Sequence, residues 1–280
     1  MSIRIVADST CDLSPELIKK YGITIIPLSI IMGDRSYFDG EDLSSEEIFT
    51  WADTNKTTPK TAAISEERAT AVFEPMMAAG DEIIFFGISV KMSSTCNVAS
   101  MVGADYDRFH VVDSMNLSTG IGLQVIKAAE MAAAGRSFEE IIESIEGKRD
   151  KVRASFVIDT LTYLARGGRC SSVTALLANT LKLHPVIVVK DGAMGVSKKI
   201  RGNIDRVIMS YVKSMEEDLK KADPSRVFIT HSGCDRTVVE EVRTYLESLG
   251  HFSEVLETRA GGVISSHCGP NTLGVLFYEA

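Results

Sequence analysis

Residues 83–103 read I-I-F-F-G-I-S-V-K-M-S-S-T-C-N-V-A-S-M-V-G, and the fold class follows from that passage. Ile83 to Ile88 is a short apolar run with no alternation, the pattern of a strand buried on both faces. Ser93-Ser94-Thr95 then supplies helix-opening residues, and the helix they start extends to about Gly103. Phe109 to Val112 forms the next strand and closes at Asp113. Two buried strands joined through a helix pair in parallel, because a crossover is needed to return the chain to the same edge.

The same alternation extends outward in both directions. Ile3 to Ala7 is a strand ending at Asp8, and Ser14-Pro15-Glu16 reads as an N-cap, an N1 proline and an acidic first turn. Strands at Ile23 to Ile26 and Leu28 to Ile31 flank Pro27, with turns at Gly33-Asp34-Arg35 and Asp39-Gly40. Ser44-x-x-Glu47 is a capping box for a helix through about Asp53. Lys56 to Ser65 reads as loop, with Ser65 capping a helix that ends near Gly80. After Asp113 come helices over Leu117 to Ala134 and, behind the capping box Ser137-x-x-Glu140, Phe138 to Asp150.

A second α/β unit begins near Arg153. Its strands are Ala154 to Ile158, Pro185 to Val189, Val196 to Lys199, Arg226 to His231, Phe252 to Glu257 and Leu273 to Tyr278. Asp191-Gly192 is a hairpin turn, and helices lie between Asn203 and Lys221 and between Asp235 and Ser248. The expected architecture is therefore two α/β domains. One spans 1–152, a parallel sheet flanked by helices with a small excursion around 31–60, and the other spans 153–280. No low-complexity linker separates them, so they share a broad interface, a common place for a ligand cleft.

Composition narrows the function. The chain has 280 residues, 45% of them hydrophobic, and a formal net charge of -8, which disfavours a nucleic-acid partner held by bulk attraction. No uncharged 18-residue stretch and no signal peptide pattern occurs, so a cytoplasmic protein with only transient membrane contact is expected. Cys11, Cys96, Cys170, Cys234 and Cys268 are odd in number and scattered, and read as reduced thiols instead of zinc ligands or disulfides. No cofactor is expected.

A second passage, residues 157–171, reads V-I-D-T-L-T-Y-L-A-R-G-G-R-C-S, a short helix running into Gly167-Gly168-Arg169. Seven further strings follow in order: I-V-A-D-S-T-C-D-L (5–13), T-I-I-P-L (24–28), T-P-K-T (58–61), M-S-S-T (92–95), V-V-D-S (111–114), K-K-I-R (198–201) and S-H-C-G-P-N-T-L-G (266–274). With these pieces the chain resembles, over nearly its whole length, the DegV family of bacterial fatty-acid-binding proteins. The resemblance implies a non-catalytic carrier that binds a long-chain fatty acid and presents its carboxylate to a partner fatty acid kinase for acyl-phosphate formation. It further implies that Thr61 and Ser93 hold the carboxylate, that His267 hydrogen-bonds within the head-group network, and that Arg169 and Arg201 are family arginines at the pocket mouth, facing the head group or the kinase.

The residues themselves agree with parts of this. Ser93, Ser94 and Thr95 sit where a buried strand gives way to a helix, so hydroxyls and free N–H groups converge on a point suited to a carboxylate; plain helix capping uses the same residues. His267 lies in a glycine- and serine-rich loop before the last strand, where a lone histidine also serves structural roles, and His231 ends a strand that approaches the same cleft. Departures from the family occur at Lys91 and Ser94, where glycines are usual, at Ala62-Ala63-Ile64 in place of S-Q-P, and at Asn271 in place of glycine. They put the local backbone conformation in question. Lys91 either adds a cation near the head group or, as the better reading, lies on the surface. Candidate tunnel walls are Ile26, Leu28, Phe85, Phe86, Met92 and a helix with Leu176, Leu177 and Leu181, each of which reads first as ordinary core.

Other chemistries fit less well. Gly87-Ile88-Ser89-Val90-Lys91 with His267 as base suggests a serine hydrolase acting on a lipid ester, but a nucleophile elbow needs glycine where Lys91 stands. Gly120-Ile121-Gly122 lacks the third glycine of a dinucleotide fingerprint. Asp8 and Asp113 end two strands and allow a magnesium site, yet short acidic side chains in turns usually accept loop N–H groups.

Overall fold

Strand β1 (Ile3–Asp8) passes through a 3-10 turn at Ser9–Cys11 into α1 (Pro15–Tyr21), β2 (Thr24–Ile26), β3 (Ser29–Met32), β4 (Arg35–Phe38) and α2 (Ser45–Asn55). Next come β5 (Lys60–Ala62), α3 (Glu66–Ala78), β6 (Glu82–Gly87), α4 (Thr95–Val102), β7 (Phe109–Asp113), α5 (Thr119–Ala133) and α6 (Phe138–Glu146). The later half holds β8 (Val152–Val157), α7 (Leu161–Gly167), α8 (Ser171–Thr174), β9 (Leu183–Lys190), β10 (Ala193–Arg201), α9 (Ile204–Lys213) and α10 (Glu216–Leu219). It ends with β11 (Ala222–His231), α11 (Arg236–Ser248), β12 (Glu254–Arg259), α12 (Gly262–Cys268) and β13 (Leu273–Glu279). This is a computed structural model, and it describes residues 2–174 and 183–280.

Three sheets result. The first is parallel throughout, in the order β2-β1-β6-β7. Its strands are apolar on both faces for a visible reason: Ile5, Ala7, Ile84 and Phe86 point to one core with α5 and α6, while Val6, Ile83 and Phe85 point to another with α3 and α4. The second sheet is mixed, in the order β10-β9-β8-β13-β11-β12, with only β11 and β12 parallel among its pairs. One face packs on α9 and α11, and the other, through Phe156, Ile187, Phe228 and Leu276, joins the core that contains α5. Helix α5 is buried from Thr119 through Ile126 because it is packed from both sides.

The third sheet, β4-β3-β5, is antiparallel and small. The loop expected over residues 56–65 holds β5, which pairs with β3 so that Thr61 faces Ile30 across the ladder. Lys60-Thr61-Ala62 has no apolar alternation to announce a strand, and only its partner makes it one. His267 likewise belongs to helix α12 and not to a loop. Gly262 and the Ser265-Ser266 pair lower intrinsic helix propensity, but Val263 and Ile264 are buried and the helix ends are tied elsewhere in the fold. The expected helix from Asn203 to Lys221 breaks at Ser214-Met215 into α9 and α10. The capping residues Ser14, Ser44, Ser65 and Ser137 all cap as read.

Candidate functional site

A cavity of about 300 Å³ lies beyond the C-terminal ends of β2 and β6, against β5, β10 and α12. Its polar lining is Thr61, Ser93, Ser94, Arg169 and His267, and its remaining walls are Leu28, Ala62, Ala63, Ile88, Met92, Leu117, Met194, Val263, Ile264 and Cys268. Among the described residues no carboxylate lines it. Four separate segments supply the polar groups, and each is fixed by local structure.

Thr61 is set by the β3–β5 ladder. Ser93 ends a tight turn after β6, in which Met92 N and Ser93 N both donate to Ser89 O, at 2.8 and 3.1 Å. Three further contacts pin this turn. Ile88 N donates to Asp8 Oδ2 at 2.8 Å, Val90 N to Asp113 Oδ1 at 3.3 Å, and Ser89 Oγ to the Gly192 carbonyl at 2.7 Å. The Gly192 contact comes from the β9–β10 hairpin tip, where φ is +76° and an added Cβ would lie 2.6 Å from Ser89 Oγ. Lys91 and Ser94 do not adopt positive φ, so the glycines they replace are not required by backbone torsion here. Asn271 does, at +56°, and its amide donates to Asp159 Oδ2 at 3.1 Å. Lys91 is exposed.

His267 Nε2 lies 2.8 Å from Thr61 Oγ1, joining residues 206 apart in the chain. Among the described residues its Nδ1 has no partner, and it rests against Gly167, where an added Cβ would lie 2.2 Å away. Burial, reinforced by the neighbouring Arg169 guanidinium, pushes the imidazole down to about 4, so it is neutral at physiological pH. A neutral ring carries one proton, and placing it on Nδ1 would leave a buried N–H unpaired at a cost of about 1–3 kcal/mol. The proton therefore sits on Nε2 and is donated to Thr61. Thr61, having accepted, has its own hydroxyl proton free to donate into the cavity.

Ser93 is prepared in the same way. Its Oγ accepts from Thr95 N at 3.3 Å and lies 3.0 Å from Thr95 Oγ1. With Thr95 donating, the Ser93 proton is free. Thr95 itself is fully buried and lies off the cavity, behind Ser93. Ser94 stands at the N-cap of α4 but makes no capping bond through its side chain. Arg169 is exposed at the cavity mouth, with Nη1 donating to Gly167 O at 2.8 Å and Nε to Met92 O at 3.5 Å. Arg201, at the end of β10, is exposed and does not line the cavity. A set of hydroxyl donors plus a guanidinium, backed by apolar walls, is suited to an amphiphile with one anionic end.

Of the expected tunnel residues, Leu28 and Met92 line the cavity, whereas Ile26, Phe85 and Phe86 are packed inside the cores. Leu176, Leu177 and Leu181 lie outside the described residues. Sequence reasoning missed Ile88, Leu117, Met194, Val263, Ile264 and Cys268, which carry no signal distinguishing wall from core. It also missed the role of Gly167, although the Gly167-Gly168 pair was conspicuous. A small void of about 20 Å³ continues behind Leu117, Ile264 and Cys268 and is also lined by His231, whose Nε2 is 3.4 Å from Glu257 Oε1.

The competing chemistries lose their residues. Ser89 is buried and committed to Gly192, and His267 faces a threonine instead of it. Gly120 and Gly122 allow close packing against Asn116 and against Leu13 and Cys11. Asp8 accepts from Thr10 N, Thr10 Oγ1 and Ile88 N, and Asp113 from Val90 N and Met115 N. Among the described residues no three His, Cys, Asp or Glu side chains are grouped to hold a metal, and no helix is long and apolar enough to cross a membrane.

Residues 2–280 match a family model described as "Uncharacterised protein, DegV family". The chain is 32% identical to a DegV domain-containing protein of Caldanaerobacter subterraneus subsp. tengcongensis, covering 99% of each. Among solved structures it is similar to a DegV family protein from Thermus thermophilus described by its fatty acid binding, with a TM-score of 0.92, 29% identity and full coverage of both chains. It is also similar to a stearic-acid-binding protein from Eubacterium ventriosum, with a TM-score of 0.86 and 30% identity, covering 100% of this chain and 98% of that one.

Proposed function

The chain belongs to the DegV family, and we propose that it binds one long-chain fatty acid, carboxylate at the Thr61–Ser93 end of the cavity and acyl chain along its apolar wall. The observation that carries this reading is that Thr61, Ser93, Ser94, Arg169 and His267, from four separate segments, line one cavity whose other lining residues are apolar. Thr61 and Ser93 donate to the carboxylate, Ser94 adds a third hydroxyl, and Arg169 supplies charge at the mouth. The acyl chain runs past Leu28, Met92 and Val263 toward Leu117, Ile264 and Cys268. Each buried methylene contributes about 0.8 kcal/mol, so the chain supplies most of the affinity and the polar end supplies orientation.

The protein acts as a carrier and not as a catalyst. His267 donates to Thr61 and so does not take its proton, and among the described residues His267 Nδ1 lacks the orienting acid that a hydrolytic triad needs. A bound carboxylate at the mouth, beside exposed Arg169, is accessible to a second protein. In this reading that protein is a fatty acid kinase, which forms the acyl phosphate on the presented carboxylate while exposed Arg166, Arg169 and Arg201 face it. The carrier is cytoplasmic, needs no cofactor and touches the membrane only transiently. Its two α/β units, 1–152 and 153–280, enclose the ligand between them.

Native mass spectrometry of the purified chain tests the proposal. The expected result is a one-to-one adduct with the mass of a long-chain fatty acid, greatly reduced in Thr61→Ala/Ser93→Ala. A chain that purifies empty and takes up neither oleate nor palmitate contradicts it.

A further inference from the structure

Helix α12 forms much of one cavity wall through Val263, Ile264, His267 and Cys268. Its C-terminal turn carries His267 to Thr61. Its N-terminus is gripped by two carboxylates from distant parts of the chain: Gly261 N donates to Asp12 Oδ1 at 2.8 Å, and Gly262 N to Asp39 Oδ1 at 2.6 Å. The remaining oxygens are also used. Asp12 Oδ2 accepts from Ser118 Oγ at 2.5 Å, and Asp39 Oδ2 from Ser9 Oγ at 2.8 Å. Ser9 Oγ in turn accepts from Leu28 N at 3.1 Å. Both anchors therefore reach the opposite wall, since Leu28 and Leu117, the neighbour of Ser118, line the cavity.

These carboxylates are 5% and 3% exposed, and among the described residues neither is in an ion pair with a lysine or arginine. Burial pushes both upward from the ordinary carboxylate range, and Asp8 and Asp39 add repulsion at Asp12. Two unpaired acids in a protein interior are costly unless each oxygen is matched to a donor, and here the donors are the free N–H groups that start α12 together with the Ser118 and Ser9 hydroxyls. Gly261 and Gly262 make the approach possible. A Cβ on Gly261 would lie 3.1 Å from Asp12 Oδ1, and one on Gly262 would lie 2.5 Å from Ile30 Cδ1. The helix spans only about 10 Å, so a displacement at its start is transmitted to its end with little loss.

We infer that Asp12 and Asp39 are positioning residues for the head-group end of the cavity: by anchoring the first N–H groups of α12, they fix where His267 on its last turn meets Thr61. Neither carboxylate touches the cavity, so the effect passes through the helix. The consequence for lipid affinity rests on the function proposed above, whereas the consequence for the imidazole stands on the protein alone.

The test uses the delipidated chain labelled with [15N]histidine. There are five histidines, and the His267 Nε2 resonance is assigned by its loss in His267→Gln. Asp39→Ala is expected to move that resonance away from its hydrogen-bonded position and to weaken oleate binding on the order of tenfold. Asp39→Asn keeps an oxygen for Gly262 N and is expected to restore the resonance and bring affinity to within about threefold of the unaltered chain. Asp12→Ala removes the acceptor of Gly261 N, is expected to behave as Asp39→Ala does, and carries the decision if Asp39→Ala does not fold. An Nε2 resonance and an oleate affinity unchanged in a folded alanine variant, with only the melting temperature lowered, overturn the inference. If the unaltered chain binds no oleate, the lipid reading fails, and the resonance arm still decides whether these acids position His267.

Discussion

The parallel four-stranded sheet and the mixed six-stranded sheet contribute to the same cavity in different ways. In the parallel sheet every strand points its C-terminal end the same way, so β1, β6 and β7 deliver Asp8, the Ser89–Ser93 turn and Asp113 to one edge. Polar turns concentrate there because that edge is where crossover connections leave the sheet. The mixed sheet has no such common edge. It provides the β9–β10 hairpin with Met194 and Gly192, and the segments around β13 and β8 that carry α12 and α7. One sheet thus aims a backbone turn, while the other frames it with a helix, a guanidinium and apolar wall.

The comparison can be broken most severely from the wall. Ile264→Asp buries a carboxylate in the apolar part of the cavity lining, at a cost of about 3–5 kcal/mol. We expect no co-purified lipid by native mass spectrometry and a clear fall in melting temperature. Gly167→Ala acts on the frame more narrowly. Its Cβ displaces the His267 ring, at about 1–3 kcal/mol of overpacking, and oleate affinity by fluorescence titration should fall on the order of tenfold or more.

A pH comparison sharpens the picture. The His267 imidazole is held at about 4 in the folded chain, against an unfolded value of about 6.5. The unfolded chain therefore binds the extra proton first, and the stability contributed by this site is complete above about pH 6.5 and is lost as pH falls through 4. His267→Gln should lose about 2–3 kcal/mol less than the unaltered chain over that window, measured by urea unfolding at stepped pH. Asp8, pushed by burial up to about 6, has the opposite sign: its stabilisation is present below about 3.8 and is lost as pH rises through 6. It is common to both proteins and cancels in the difference. The smallest effect is expected away from both sheets' contribution to the site. Ser44→Ala removes the capping box of α2 and should cost about 1 kcal/mol of stability with oleate affinity unchanged.

Much of this architecture was legible from local patterns. Apolar runs such as Ile83–Phe86 have no alternation because both faces of the sheet are covered, and serine caps at 14, 44, 65 and 137 work through contacts three residues away. Elements without a local signature were not legible. Strand β5 exists because β3 lies beside it, and α12 exists despite its glycines and serines because Asp12 and Asp39 satisfy its first N–H groups. Tunnel wall and core were equally opaque, since Leu28 and Ile26 differ in whether a cavity lies beside them and not in chemistry.

By itself the sequence determined the alternation of strands and helices, the parallel pairing of the first sheet, the caps, and through its ordered motifs the family. These depend on interactions spanning a few residues or on the period of apolar side chains. The tertiary structure alone decided that His267 bonds Thr61 across 206 residues, that Gly167 makes room for its ring, and that Thr95 stands behind Ser93 instead of facing the cavity. Such contacts depend on how distant segments are stacked, which no local preference encodes.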